Sequence, residues 1–139
     1  MAHLGYRVVA AERSVILFEL LFDAYERAQH SNELKDTLLR LTLMCGDSKM
    51  LLAELNDRDR PEVVYLDPMY PITKKSAQPK KEMQILRKLI GPDDNLAELF
   101  AVAKSIATKK LILKNNPRTA IEFKPKHSVE SKNVRFDVF

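Results

Sequence analysis

Apolar positions along this chain change rhythm several times. Four short runs rich in Val, Ile and Leu, "YRVVAAER" (6–13), "LTLMCGD" (41–47), "PEVVYLD" (61–67) and "KLILKNN" (110–116), have the length and composition of strands. The third is almost continuously apolar, as a strand covered on both faces of a parallel sheet must be. Between the runs the period lengthens. In "VILFELLFDAYERAQ", Ile16, Leu20 and Ala24 form one row and Leu17, Leu21 and Ala28 another, which predicts a helix with Ser14 as its N-cap. Further helices are predicted over 32–41, over 48–55, over 81–91 with Gly91-Pro92 as the stop, and from about Asp93 onward, that last one acidic at its head and basic at its tail. Gly5 has the look of a helix C-cap whose helix body would precede this chain. The end, "HSVESKNVRFDVF" (127–139), predicts two closing strands around a Lys132-Asn133 turn, with alternation in "VRFDVF".

This order of elements predicts an α/β fold in one domain: a doubly wound sheet with helices on both faces and an antiparallel C-terminal edge. A chain of 139 residues suits a single core. Ligands of such sheets bind outside the carboxyl ends of the parallel strands. Here those ends carry Glu12, Asp47 and Asp67.

Composition narrows the function classes. The chain is 45% hydrophobic and 30% charged with only three Gly, which is globular rather than disordered or fibrous. A net charge of +4 and a pI near 9.2 permit a polyanionic partner without demanding one. A lone Cys45 rules out an internal disulfide framework and a Cys-rich zinc site and fits a reducing cytoplasm. His3, His30 and His127 show no ligand spacing, so no metal is expected. No apolar run approaches the roughly 20 residues that span a bilayer, and the start lacks the pattern of an export signal.

Each strand-end acid has two readings. Glu12 could accept hydrogen bonds from ribose hydroxyls, or it could complement the dipole of the helix that follows. Asp47-Ser48 could face an adenine amine or cap the helix at 48–55, and Ser48 could cap while Asp47 faces a pocket. Asp67 is distinguished by its context. In "VVYLDPMYP", Pro68 has a locked φ and disfavours helical backbone at Asp67, so Asp67, Pro68, Met69 and Tyr70 make a stiff turn. A carboxylate and a carbonyl there could accept both hydrogens of a planar amine while an aromatic ring stacks on the base.

With "KKSAQPKKEM", "LIGPDDN", "ATKKLILK" and the terminal "RFDVF", that turn resembles the bacterial small-subunit (16S) ribosomal RNA guanine-N2 methyltransferases, enzymes that use S-adenosylmethionine. The resemblance runs from about Leu4 to the end. It implies a Rossmann-like class I methyltransferase sheet in which Glu12 and Arg13 hold the cofactor ribose, and Asp47 and Ser48 contact its adenosine part. Asp47 departs from the Ser pair frequent in the family. It implies further that Asp67, near both cofactor and target amine, opens a catalytic loop completed by Pro68, Met69 and Tyr70. Lys74, Lys75, Lys80 and Lys81 then fall where an RNA backbone would pass, although a solvated lysine loop is their reading without the neighbouring motif.

The family's first strand and its glycine-rich "D-x-x-x-G-x-G-x-D" turn are missing: the three glycines are Gly5, Gly46 and Gly91. In the order 3-2-1-4-5 that strand lies between those at 6–13 and 61–67, so a gap in the sheet is expected. Two expectations follow. One is a cytoplasmic rRNA methyltransferase represented by an N-terminally truncated piece, its activity by itself in question. The alternative is a non-catalytic RNA-binding or ribosome-assembly module on the same scaffold.

Overall fold

A computed structural model of the chain describes residues 1–68, 81, 84, 95–117 and 123–139. These fall into two compact units, Met1–Glu54 and Leu55–Phe139.

In the first unit, strands β1 (Val8–Glu12) and β2 (Leu41–Cys45) pair in parallel, from Val8 opposite Leu41 to Glu12 opposite Cys45. Parallel pairing needs a crossover, and helix α1 (Val15–Ala28) with the short helix α2 (Lys35–Leu38) supplies it. Ser14 caps α1 as its sequence position predicts: its backbone is extended and its Oγ accepts the Leu17 N–H at 3.4 Å. The helix expected over 32–41 shrinks to the four residues of α2, whose last turn is tied to α1 where the Tyr25 hydroxyl donates to the Leu38 carbonyl. Helix α3 (Ser48–Ala53) follows β2. Gly5 is a C-cap, with φ of 92° and its N–H on the Ala2 carbonyl, closing a single 3₁₀ turn at Ala2–Leu4. That left-handed backbone is the reason a glycine serves there.

The second unit contains β3 (Val63–Leu66), α4 (Leu96–Ile106), β4 (Lys110–Asn115), β5 (His127–Glu130) and β6 (Arg135–Val138). Its sheet runs β3-β4-β6-β5. β3 and β4 are parallel, and β6 is antiparallel to both β4 and β5. The closing hairpin forms as expected, but its last strand lies inside the sheet and its first strand takes the edge. Val64, Leu66, Leu111, Leu113 and Phe139 are buried with Phe100 and Ala103 of α4. Phe100 stacks on Phe123 with centroids 3.8 Å apart and meets Phe139 edge-on at 4.7 Å. Arg60 donates to the Ile106 and Ser105 carbonyls at the C-terminus of α4, so a cation meets the negative end of the helix.

The sheet is therefore not continuous among the described residues. Among the described strands β1 pairs with β2 alone, and β3 pairs with β4 alone.

Candidate active site

In the first unit the ends of β1 and β2 lie side by side because the pairing is parallel and in register to its last residue. The Gly46 N–H donates to the Glu12 carbonyl at 3.0 Å and extends the pairing past β2. Gly46 has φ of 153°, a backbone conformation that residues with a side chain rarely adopt, which is why a glycine serves in this turn. The Glu12 carboxylate accepts the Ser14 N–H at 2.7 Å, on the approach to α1. Helix-start chemistry is thus realised at Glu12 through one of its oxygens. At the next strand end the capping residue is Asp47, not Ser48: Asp47 has extended backbone and its Oδ1 accepts the Lys49 N–H at 2.8 Å. The capping role falls to Asp47 because an aspartate in the half-in position reaches the second amide of the helix directly. Arg13 is exposed, and Ser48 is half-buried as the first residue of α3.

In the second unit Asp67 and Pro68 follow directly on β3. The Lys114 ammonium donates to Asp67 Oδ2 at 2.7 Å, with the two side chains 40% and 51% exposed. Parallel register places them together: Leu66 is opposite Leu113, so the next residues of the two strands are neighbours at the carboxyl rim. The hydrogen bond to Asp67 raises the Lys114 pKa above its ordinary value, against the opposing effect of burial. Tyr65 stands two residues before Asp67, hence on the same face, with its ring 6.4 Å from that of Phe136. Burial, and then the negative charge of Asp67, raise the Tyr65 pKa. Tyr65, Asp67 and Lys114 form a half-exposed polar group on one face at the strand ends. Sequence reasoning missed Lys114, since "KLILKNN" shows a lysine in a strand but only register says which acid it meets.

On the opposite face of this sheet is a polar cluster within the apolar core. Asp137 is fully buried and accepts from Ser128 Oγ at 2.6 Å, Arg135 Nε at 2.9 Å and Asn115 Nδ2 at 3.2 Å. Arg135, also buried, donates through Nη1 to the Pro117 carbonyl at 3.1 Å. Burial would raise the Asp137 pKa, yet hydrogen bonds from Arg135, Ser128 and Asn115 outweigh it and hold the carboxyl below its ordinary value. The cluster fastens the segment leaving β4 to β6 just beyond the strand end.

Met69, Tyr70, Lys74, Lys75 and Lys80 lie outside the described residues; Lys81 is exposed and helical. Among the described residues no three His, Cys, Asp or Glu side chains gather as a metal site. No described helix is long and apolar enough to cross a membrane.

A family model for SAM-dependent methyltransferases matches residues 1–139, the whole chain. The chain belongs to this family. Among the relatives of this chain is the ribosomal RNA small subunit methyltransferase J of Thioalkalivibrio sulfidiphilus, 38% identical, with 100% of this chain aligned to 55% of that protein. The protein of the same name from Chromobacterium violaceum is 41% identical, again with 100% of this chain on 55% of its length. The crystal structure of a SAM-dependent methyltransferase from Neisseria gonorrhoeae superposes with a TM-score of 0.78 and 29% identity, covering 99% of this chain and 54% of that one. The chain thus spans about half the length of the relatives it matches, and its fold is that of a class I methyltransferase. The family's methyl donor is S-adenosylmethionine.

Proposed function

We propose that this chain is the part of a small-subunit rRNA methyltransferase that positions the target amine, for transfer of a methyl group to the exocyclic N2 of a guanine in 16S rRNA. The observation that carries this reading is the end of β3: Asp67, stiffened by Pro68, stands with Lys114 at the rim where doubly wound sheets bind ligands. Support comes from the family match and from relatives named for small-subunit rRNA methylation.

S-adenosylmethionine, when bound, supplies an activated methyl group on a sulfonium. The residues present fit its adenosine end in their chemistry. Glu12 and Asp47 each spend one carboxylate oxygen on a local N–H. A carboxylate offers about four acceptor sites, so acceptor capacity remains for ribose hydroxyls or an adenine amine without breaking those bonds. Arg13 and Ser48 complete that group in our assignment. Asp67 contacts the cofactor in our assignment as well as accepting a hydrogen bond from the guanine amine, whose lone pair it turns toward the methyl group, and Lys114 fixes the direction of the carboxylate. Tyr70 stacks on the extruded base, with Met69 and Pro68 shaping the turn, and Lys74, Lys75, Lys80 and Lys81 meet the phosphate backbone. With the cofactor bound, the methylated nitrogen would carry a positive charge and would release one proton to water at the half-exposed rim beside Asp67, and the cofactor's thioether, S-adenosylhomocysteine, would leave. Rate acceleration comes chiefly from positioning, so Asp67 is not required to be a strong base. We assign both units to one methyltransferase domain acting in the cytoplasm, where ribosomal RNA is found.

Calorimetric titration of the chain with S-adenosylmethionine, beside Asp67→Ala, tests this reading. Micromolar binding weakened by the substitution is the expected result. A folded chain that binds no cofactor would mean that cofactor binding needs the part of the relatives' length this chain does not span, and that this chain is its scaffold.

A further inference from the structure

Five lysines have no part in the site above. Lys104 lies in the last turn of α4, Lys109 and Lys110 stand at the start of β4, and Lys124 and Lys126 precede β5. With Ala107, Leu111 and Phe139 they line a cleft of about 220 Å³ in the second unit. Topology gathers them. Because β6 runs antiparallel to β4, the Phe139 N–H donates to the Leu111 carbonyl at 2.9 Å, and the Lys126 N–H donates to the Val138 carbonyl at 2.7 Å. The segment before β5 is thereby laid beside the beginning of β4.

All five side chains are exposed. Lys109 has an acidic partner, Glu62, at 2.6 Å, and the Lys104 ammonium sits 5.9 Å from the centre of the Phe100 ring. Lys110, Lys124 and Lys126 form no ion pair with a described carboxylate. Gathering ammonium groups around one cleft costs repulsion that an anion relieves, and a concave wall focuses their field outward. Among the described residues of the lining every polar side chain is a lysine, a point charge on a flexible stem without the directional fork of arginine. Such a lining suits a continuous phosphate backbone better than one small, precisely held ester.

We propose that this cleft docks the phosphate backbone of RNA at the rim of the sheet opposite Asp67. β4 carries both ends of the argument, with Lys110 at its amino end and Lys114 beside Asp67, about 13 Å away along the extended strand. The choice of RNA as partner rests on the reading of an rRNA substrate. The docking role is separate from methyl transfer, since none of the five lysines is placed in the cofactor or amine site.

The test is fluorescence anisotropy of a labelled small-subunit rRNA fragment with the full chain across a salt series. The variant is Lys110→Gln/Lys124→Gln/Lys126→Gln, and a charge-matched control replaces the exposed Lys35, Arg58 and Lys132 by Gln. Three lost phosphate contacts should weaken binding roughly tenfold or more and flatten the slope of log affinity against log salt by about two to three, with thermal melts unchanged. The control should keep the wild-type slope. A triple variant that binds like the control overturns the docking site and leaves the rRNA reading standing. Failure of the wild-type chain to bind RNA overturns both. Inorganic phosphate that competes as well as RNA does, at equal phosphate concentration, would make this a small-anion site and also overturn the proposal.

Discussion

At the scale of single residues, two acid–lysine or acid–arginine pairs in the same sheet illustrate opposite uses of charge. Asp67 and Lys114 meet at a half-exposed rim, where an ion pair contributes little to stability but fixes direction. Removing the acid should release the base: in Asp67→Asn the Lys114 ammonium should titrate at lower pH than in the wild type, nearer 10.5, as read from its side-chain NMR shifts. An unmoved titration would mean that the pair does not persist in solution. Because Lys114 and Tyr65 both bind their protons more tightly when folded, their contribution is complete below their ordinary values of 10.5 and 10.0 and is lost as pH rises beyond them. Asp137 and Arg135 are buried, so the same chemistry carries a structural load. Asp137→Ala strands a guanidinium in the core and should cost about 3–5 kcal/mol in urea unfolding, whereas replacing both partners by apolar residues should cost much less. The depressed Asp137 pKa makes this contribution available above its ordinary value of 3.8 and removes it as pH falls through the lower folded value, so acid should unfold the second unit in that range.

Elements differ in how far local sequence decides them. α1 and α3 are defined by their caps, Ser14 and Asp47, and each cap replaced by Ala should cost about 1 kcal/mol in thermal or urea unfolding. The helical pattern over 32–41 overreaches because the residues before Lys35 turn instead of coiling, with the Leu34 N–H donating to the Ser31 carbonyl, and Leu41 is already paired with Val8. The alternation in "VRFDVF" is real but faces inward with its charges: Arg135 and Asp137 are buried while Phe136 is half-exposed. Period predicts that two faces exist. Which one is covered depends on the partners that Ser128 and Asn115 supply from neighbouring strands.

Across the whole molecule burial is uneven. Among the described residues the second unit holds nearly all the buried apolar ones, from Val64 to Phe139, whereas the first contributes Ala2 alone. In α1, Ile16 and Leu20 remain 53% and 59% exposed although they stand at helical spacing. Hydrogen exchange should follow this distribution, with amides of β4 and β6 exchanging roughly tenfold or more slowly than those of β1 and β2. Equal protection in the two pairs of strands would show that the units open together.

The sequence by itself determined the kind and order of most described elements and the acids at three strand ends, because strand and helix periodicity and caps act within a few residues; the turn through Met69 and Tyr70 and the helix expected over 81–91 fall largely outside the described residues. Through the family resemblance it also carried the methyltransferase assignment. Only the tertiary structure decided the pairing of Lys114 with Asp67, the inward turn of Arg135 and Asp137, and the gathering of five lysines at one rim. Each of these depends on strand register, which sets residues some ten to fifty positions apart in the chain side by side, and no local pattern encodes that choice.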